Sequence, residues 1–239
     1  MVDDGIPRNI GGKAFPFTPW NLVRNSTDVE VLNELLMIYW KPLFFFVRRR
    51  GYDHHSSKDI VQEFLTRLFE RSAFKQADPA RGRFRTWLLA ALSNFLRDWR
   101  KSALREKRGS GKLTLSLDFE MGESEYELEV AVDASPEEAL NRAWARNLLE
   151  ATIASLEVSP PRLLALRMRL AGQNYAEILA ATRLIPAAAK TSNHRLRAQL
   201  RALIEARIRA TVAAEADFKA ELREFISLIS ETARDRRRK

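Results

Sequence analysis

Four polar residues near the middle of the chain recur at the spacing of one helix face. They stand at positions i, i+3, i+4 and i+7: Asn94, Arg97, Asp98 and Lys101. An amide can pair with a base edge at two points, and a guanidinium group holds phosphate through a bidentate fork. The pattern is therefore typical of a nucleic-acid contact. A merely solvated helix side is an equally good interpretation of these residues alone.

The other side of the same segment is apolar. Its residues follow the steps i, i+3, i+4, i+7, i+8, i+11 and i+15: Phe84, Trp87, Leu88, Ala91, Leu92, Phe95 and Trp99. This continuous stripe predicts a helix that is buried along its back. Aromatic side chains at the rim of such a stripe suit stacking on an unpaired base. Arg83, Arg85 and Arg100 accompany the polar front, so we expect a firmly anchored helix that offers cations to nucleic acid.

The preceding helix has a different outward side. Its buried stripe consists of Val61, Phe64, Leu65 and Leu68, and the opposite side carries acids, an amide and a threonine: Asp59, Gln62, Glu63, Thr66 and Glu70. Negative charge disfavours contact with DNA. This face is therefore either simply solvated or a docking surface for a basic protein.

The charge of the whole chain points to a polyanionic partner. The 239 residues carry a net charge of +9, contain no cysteine, and are 46% hydrophobic, which excludes a disulfide framework and wholesale disorder. No segment reaches the roughly 18–20 apolar residues of a membrane span. The start, "MVDDGIPRNIGGKAF", lacks the pattern of a secretory signal. We therefore expect a cytoplasmic protein with no membrane partner.

The charge is also unevenly distributed. Residues 81–108 hold nine Lys and Arg against two acids, whereas residues 118–138 hold nine acids and no Lys or Arg. An acidic stretch between basic halves indicates a linker between two modules. The predicted fold is all-α, with two helical domains joined by an acidic linker. Its parts are an N-terminal arm (1–27), a first helical domain (28–107), the linker (108–134), a second helical domain (135–210) and a C-terminal extension helix with a basic tail (211–239).

Local signals predict where the helices begin and end. Pro42 should kink the first helix or start a new one, and Gly51 should stop it. Ser56 followed by Asp59 resembles a capping pair, and Ser135 followed by Pro136 is a strong helix start. Residues 107–134 are expected to be loop. Later helices are expected at 136–156, 160–171, 174–181, 186–209 and 215–231.

The sequence does not favour enzyme chemistry. Asp53, His54 and His55 adjoin one another, but consecutive side chains rarely converge on a metal ion. The chain has no cysteine nucleophile, no phosphate-binding glycine-rich loop and no Gly-x-Ser-x-Gly elbow. We expect a protein that acts by binding alone, without metal or cofactor.

Four stretches of the chain resemble a known family. "KDIVQEFLTRLFE" followed by "FRTWLLAALSNFLRDWRK" closely resembles the polymerase-binding and promoter-melting domain of bacterial RNA polymerase sigma factors, in particular the extracytoplasmic-function group. "FPFTPWNLV" looks like an arm that precedes this domain. "NYAEILAATRLIPAAAKTSNHRLRAQLRALI" is similar to the helix-turn-helix of the promoter-distal domain. The resemblance covers about residues 15–210 in the correct order.

The resemblance implies partners for both faces. Asp59, Gln62 and Glu63 would contact core RNA polymerase, and Asn94 would lie at a pocket for a flipped base of the minus-ten element. The other residues expected at that DNA are Arg83, Arg85, Arg97, Asp98 and Lys101. Trp87 matches a structural Trp of the family. The acidic linker would thread through the polymerase cleft, and the resemblance also allows for an anti-sigma regulator.

The helix-turn-helix departs from the family pattern at its turn. Arg183 stands where Gly is usual, which is costly if the turn needs positive φ, and Ile185 stands where a capping Ser is usual. Pro186 can still open the recognition helix. The module is expected to hold double-stranded promoter DNA mainly through phosphate contacts. The residues expected to do so are Lys190, Asn193, His194, Arg195 and Arg197.

The C-terminal extension predicts one more amphipathic helix. Its narrow apolar stripe consists of Phe218, Leu222, Phe225, Ile226 and Ile229, and we expect it to pack on its own domain or to dock a regulator or the polymerase. Two other functions stay open. One is a helix-turn-helix regulator that binds duplex DNA without polymerase, and the other is an interaction protein derived from a sigma factor.

Overall fold

All regular structure in the part of the chain described is helical. The protein's structure, a computed structural model, describes residues 29–70, 82–103, 117–129 and 134–238. This confirms the all-α prediction for those residues. The predicted N-terminal arm and the first part of the predicted linker lie outside them. No helix within the described ranges has the length and apolar character needed to cross a bilayer.

The helices are numbered in chain order. They are α1 (Val29–Arg49), α2 (His54–Glu70), α3 (Phe84–Ala103), α4 (Phe119–Glu129), α5 (Pro136–Ala154), α6 (Pro160–Leu170), α7 (Tyr175–Thr182), α8 (Pro186–Ala210) and α9 (Glu215–Arg238). The helices α5 to α9 occur where the sequence predicts them, and α9 continues beyond the expected end at 231.

The first two helices meet at a tight turn. α1 passes through Pro42 without interruption, so this proline does not start a new helix. Gly51 follows the end of α1 as predicted, with φ of 89° and its N–H donating to the carbonyl of Arg48 at 3.0 Å.

α2 begins earlier than the Ser56 cap predicts. Asp53 caps it instead, because its carboxylate accepts from the backbone N–H of Ser56 at 2.8 Å, and this bond lowers the pKa of Asp53.

The start of α5 follows the sequence prediction. The Ser135 hydroxyl accepts from the Glu138 N–H at 3.2 Å, and the Glu138 carboxylate accepts from the Ser135 N–H at 2.8 Å. This reciprocal pair satisfies two N–H groups that lack partners within the helix. The backbone hydrogen bond from Ser135 lowers the pKa of Glu138.

The two halves of the chain share one core. α1 packs along α5, and a continuous buried cluster extends from Ile38 in α1 to Phe225 in α9. Leu43, Phe44 and Trp144 are among its fully buried side chains. The predicted division into two separately packed domains is therefore not confirmed in the described residues.

The acidic segment contains a helix, so the prediction of loop at Phe119–Glu129 is wrong. Phe119 is buried against the rings of Trp40 and Phe44, at centroid distances of 5.3 and 5.6 Å. Tyr126 packs on Phe45 at 5.4 Å. These aromatic contacts anchor α4 on α1.

Ion pairs complete the docking of α4. Glu123 accepts from the guanidinium of Arg48 at 2.6 and 3.0 Å, and Glu125 pairs with Lys41 at 2.6 Å. The backbone also approaches closely, because a Cβ atom on Gly122 would lie 3.0 Å from a ring carbon of Trp40. The acids that indicate a linker in sequence thus find cations on α1 in the fold.

Candidate nucleic-acid interface

The apolar stripe of α3 anchors it as predicted. Phe84, Leu88, Leu92 and Phe95 are buried, and Trp87, Ala91 and Trp99 are half-buried beside them. Phe95 packs on Phe64 of α2 at a centroid distance of 5.5 Å and on Trp99 at 5.8 Å. Trp87 lies 5.6 Å from Phe84, in keeping with a structural role. α3 therefore has a fixed orientation relative to α2.

The polar face of α3 points away from this core. Asn94, Arg97, Asp98 and Lys101 are all exposed. They lie where helical spacing places them, along one side of the last three turns of the helix. Arg100 is also exposed, but its Nε donates to the hydroxyl of Tyr52 at 2.8 Å. The face can therefore offer an amide, two cations and a carboxylate to a nucleic acid.

The acidic face of α2 is less open than the sequence suggests. Asp59 is exposed, whereas Gln62 and Glu63 are half-buried, and Glu63 pairs with Arg67 one turn later. Thr66 is fully buried, so its placement on the outward side is wrong. α2 packs on both α1 and α3, which widens its buried stripe. The side chain of Glu70 lies outside the described residues.

Arg83 and Arg85 are less open to solvent than the sequence suggests. Arg85 is 6% exposed, and its guanidinium donates to both carboxylate oxygens of Glu221 in α9, at 3.2 and 2.9 Å. Arg83 donates to Glu221 at 2.9 Å and to Glu224 at 2.8 Å. Burial alone disfavours a charged guanidinium, but the two carboxylates outweigh it and raise the pKa of Arg85. In this packing α9 buries Arg85, so the expectation that it is available to DNA is wrong, whereas Arg83 stays half-exposed beside the same two acids.

The second candidate surface is the helix-turn-helix of α7 and α8. Asn174 caps α7, because its side-chain oxygen accepts from the Glu177 N–H at 3.0 Å. The Glu177 carboxylate in turn accepts from the Asn174 N–H at 2.9 Å. Arg183 follows with φ of 55° and ψ of 22°. The turn thus needs the left-handed conformation that Gly adopts without cost. Pro186 opens α8 at its first position, as expected.

α8 presents most of the predicted cations. Lys190, His194, Arg195 and Arg197 are exposed. Asn193 is 2% exposed, so the prediction that it reaches DNA is wrong. It lies on the same side as the buried Ala189, Leu196 and Leu200. Neither atom of its amide has a hydrogen-bond partner among the described residues.

The three comparisons with known proteins add no relative. No family model, curated protein or solved structure matches the chain. Among the described residues, no group of three or more His, Asp and Glu side chains is arranged to hold a metal ion. A functional assignment therefore depends on the faces of α2, α3 and α8.

Proposed function

We propose that the chain is a sigma factor of the extracytoplasmic-function group, which binds core RNA polymerase, recognises and melts promoter DNA, and so directs transcription initiation. One observation carries this proposal. The helices α2 and α3 pack on each other and have different outward faces. The outward face of α2 is acidic, and that of α3 carries an amide and cations. A protein that binds DNA alone needs only the second face.

The acidic face supports a protein partner. Asp59, Gln62 and Glu63 lie along one side of α2, where the exposed carboxylate of Asp59 would repel the phosphate backbone and the charge of Glu63 is paired with Arg67. A basic surface on core RNA polymerase would complement it, and complementary charge speeds encounter and fixes register. The half-buried Glu63 is held by Arg67, so its carboxylate is positioned before any partner arrives.

The face of α3 supports contact with strand-separated DNA. Asn94 can pair with the edge of an exposed base, and Arg97 and Lys101 can hold the phosphates beside it. Extruding a base costs a few kcal/mol, which stacking and pocket contacts offset. Because the aromatic back of α3 is fixed in the core, the helix backbone that carries these groups does not have to be ordered when DNA binds.

The helix-turn-helix supplies a second grip on the promoter. Lys190, His194, Arg195 and Arg197 form a cationic side of α8. Short alanines occupy the start of that helix, so phosphate contact should exceed base readout. In this proposal the protein acts in the cytoplasm by binding alone, with core RNA polymerase and promoter DNA as partners.

A DNA-binding regulator that works without polymerase is the second candidate. The observation in its favour is that acids of α9 pair with Arg83 and Arg85 while the cations of α8 stay exposed. Such a protein would bind duplex DNA through α8 and would not need the face around Asp59.

Initiation assays separate the two candidates. Purified chain is mixed with bacterial core RNA polymerase and templates that carry randomised upstream DNA, and specific transcripts are counted. Asp59→Arg with Glu63→Arg should abolish them by reversing the charge of the docking face. Glu150→Arg with Glu157→Arg, a matched change at two exposed acids outside the proposed interfaces, should leave them unchanged. An absence of transcripts with wild type, or equal activity in both double variants, contradicts the proposal.

A further inference from the structure

We propose that α9 is an intramolecular inhibitor of DNA binding. It would act through a latch formed by Arg83, Arg85, Glu221 and Glu224, whose carboxylates occupy the positions of DNA phosphates. This inference rests on the proposed function, because it concerns access of DNA to the first turn of α3. It adds a means of regulation that lies within the chain.

The latch is a compact network of two cations and two acids. Glu221 and Glu224 are one turn apart on α9, and Arg83 lies within 2.9 Å of one and 2.8 Å of the other. Arg85 reaches both acids at 2.9 Å. The two charges of each sign therefore balance at the start of α3.

Neighbouring contacts orient the latch. The Arg85 guanidinium also donates to the side-chain oxygen of Asn141 and lies 4.1 Å above the ring of Trp144 in α5. Phe225 of α9 packs on that ring at 6.0 Å, edge to face. The latch thus joins α3, α5 and α9, which come from distant parts of the chain.

Two features bear on release of the latch. Buried ion pairs lose much of their attraction to the cost of desolvation, so they fix geometry more than they add stability. The apolar stripe of α9 is also incompletely covered: Phe218 and Phe225 are buried, but Leu222 is half-buried and Ile226 is 52% exposed. α9 is held by the buried Phe218 and Phe225 and by the half-buried Leu222, Leu228 and Ile229, so a competing ligand has to displace the acids against these apolar contacts.

DNA has the chemistry to compete. An arginine fork binds phosphate in the same bidentate way as carboxylate, and its N–H groups cannot serve both at once. Arg85 precedes Arg97 by about 18 Å along the helix axis and lies about 120° around it, at 1.5 Å per residue and 3.6 residues per turn. A strand held by Arg97 and Lys101 would therefore have to pass obliquely around α3 to reach the latch and displace the two acids.

Distance measurements on the full-length chain test the latch. The chain has no cysteine, so Thr86→Cys in α3 and Ile226→Cys in α9, both exposed positions, accept spin labels specifically. A single-stranded DNA oligonucleotide should lengthen the distance between the labels. Glu221→Gln with Glu224→Gln should lengthen it without DNA. This variant should also bind the oligonucleotide about tenfold tighter if the open form is about a tenth of the wild-type population.

A matched control removes the same charge from exposed acids outside α9. Glu150→Gln with Glu157→Gln deletes two carboxylates away from the latch, and it should change affinity about twofold or less in moderate salt. If loss of the buried Glu221 charge prevents folding, Glu224→Gln alone serves, because that side chain is 32% exposed. It should give the same lengthening and tightening in smaller measure.

Several outcomes overturn the latch. One is a distance that DNA leaves unchanged, and another is a gain in affinity no larger than that of the control. A distance that lengthens with core RNA polymerase but not with DNA also overturns it. Transcription assays with the Asp59 and Glu63 charge reversals read the proposed function separately, since those residues lie outside the latch.

Discussion

α3 and α8 are both long helices with an outward row of cations, yet they are built differently. α3 is fixed by buried aromatic residues such as Phe95, and α9 pairs with the cations of its first turn. α8 keeps its cations exposed, but it follows a left-handed Arg183 and contains the buried, unpaired Asn193. α3 is a rigid platform that fits the base capture proposed above. α8 carries local costs in stability that a single substitution can remove.

The largest effect is expected from the anchor of α3. Phe95→Ala removes the ring that joins α3 to Phe64, and it should lower the free energy of unfolding by about 3–5 kcal/mol. Urea denaturation measures this loss. Asn94→Ala on the outward side should stay within about 0.5 kcal/mol of wild type. Similar values for the two variants would show that the aromatic back does not hold α3.

A gain in stability is expected in α8. Asn193→Leu replaces a buried amide that lacks partners with an apolar group of similar size, which should raise the free energy of unfolding by about 1–3 kcal/mol. The exposed Gln199 provides the control, and Gln199→Leu should change stability by about 0.5 kcal/mol or less. Destabilisation by Asn193→Leu would mean that the amide is satisfied in solution.

The smallest effect is expected at the turn. A non-glycine residue in the left-handed region costs about 1–2 kcal/mol, and the greater backbone entropy of unfolded Gly offsets about 0.5–1 kcal/mol of this. Arg183→Gly should therefore stabilise the protein by about 0.5–1 kcal/mol. Thermal unfolding of Arg183→Ala, which keeps the penalty, should show no such gain. Equal melting temperatures for the two variants would contradict a strained turn.

Sequence periodicity was sufficient for the local parts of the fold. The seven-residue stripe of α3 predicts its buried back, and the Ser135 cap predicts the start of α5. Asn193 could also have been placed correctly, because it is spaced at helical steps from the buried Ala189 and Leu196. The polarity of Asn193 indicates an exposed position, whereas its helical spacing from these apolar residues indicates a buried one, and the spacing is the better guide here.

Long-range pairing was beyond the sequence. Nothing local to Arg85 indicates that Glu221 will cover it, since the two residues are far apart in the chain. The same holds for the acids around Glu123. They indicate a linker in the sequence because their partner, Arg48, lies far away in the first helix. Charged residues are assigned to the surface by composition, and only the packing of distant helices decides which of them are covered.

A crossed binding experiment tests the central claim that α2 holds polymerase and α3 holds DNA. Equilibrium affinities for core RNA polymerase and for a single-stranded oligonucleotide are measured for Asp59→Arg with Glu63→Arg and for Arg97→Ala with Lys101→Ala. The first variant should lose about tenfold or more in polymerase affinity, which corresponds to about 1.4 kcal/mol, and should lose no affinity for DNA. The second should lose DNA affinity by a similar factor and keep the polymerase. Parallel losses of both affinities in both variants, or of neither, would contradict the account.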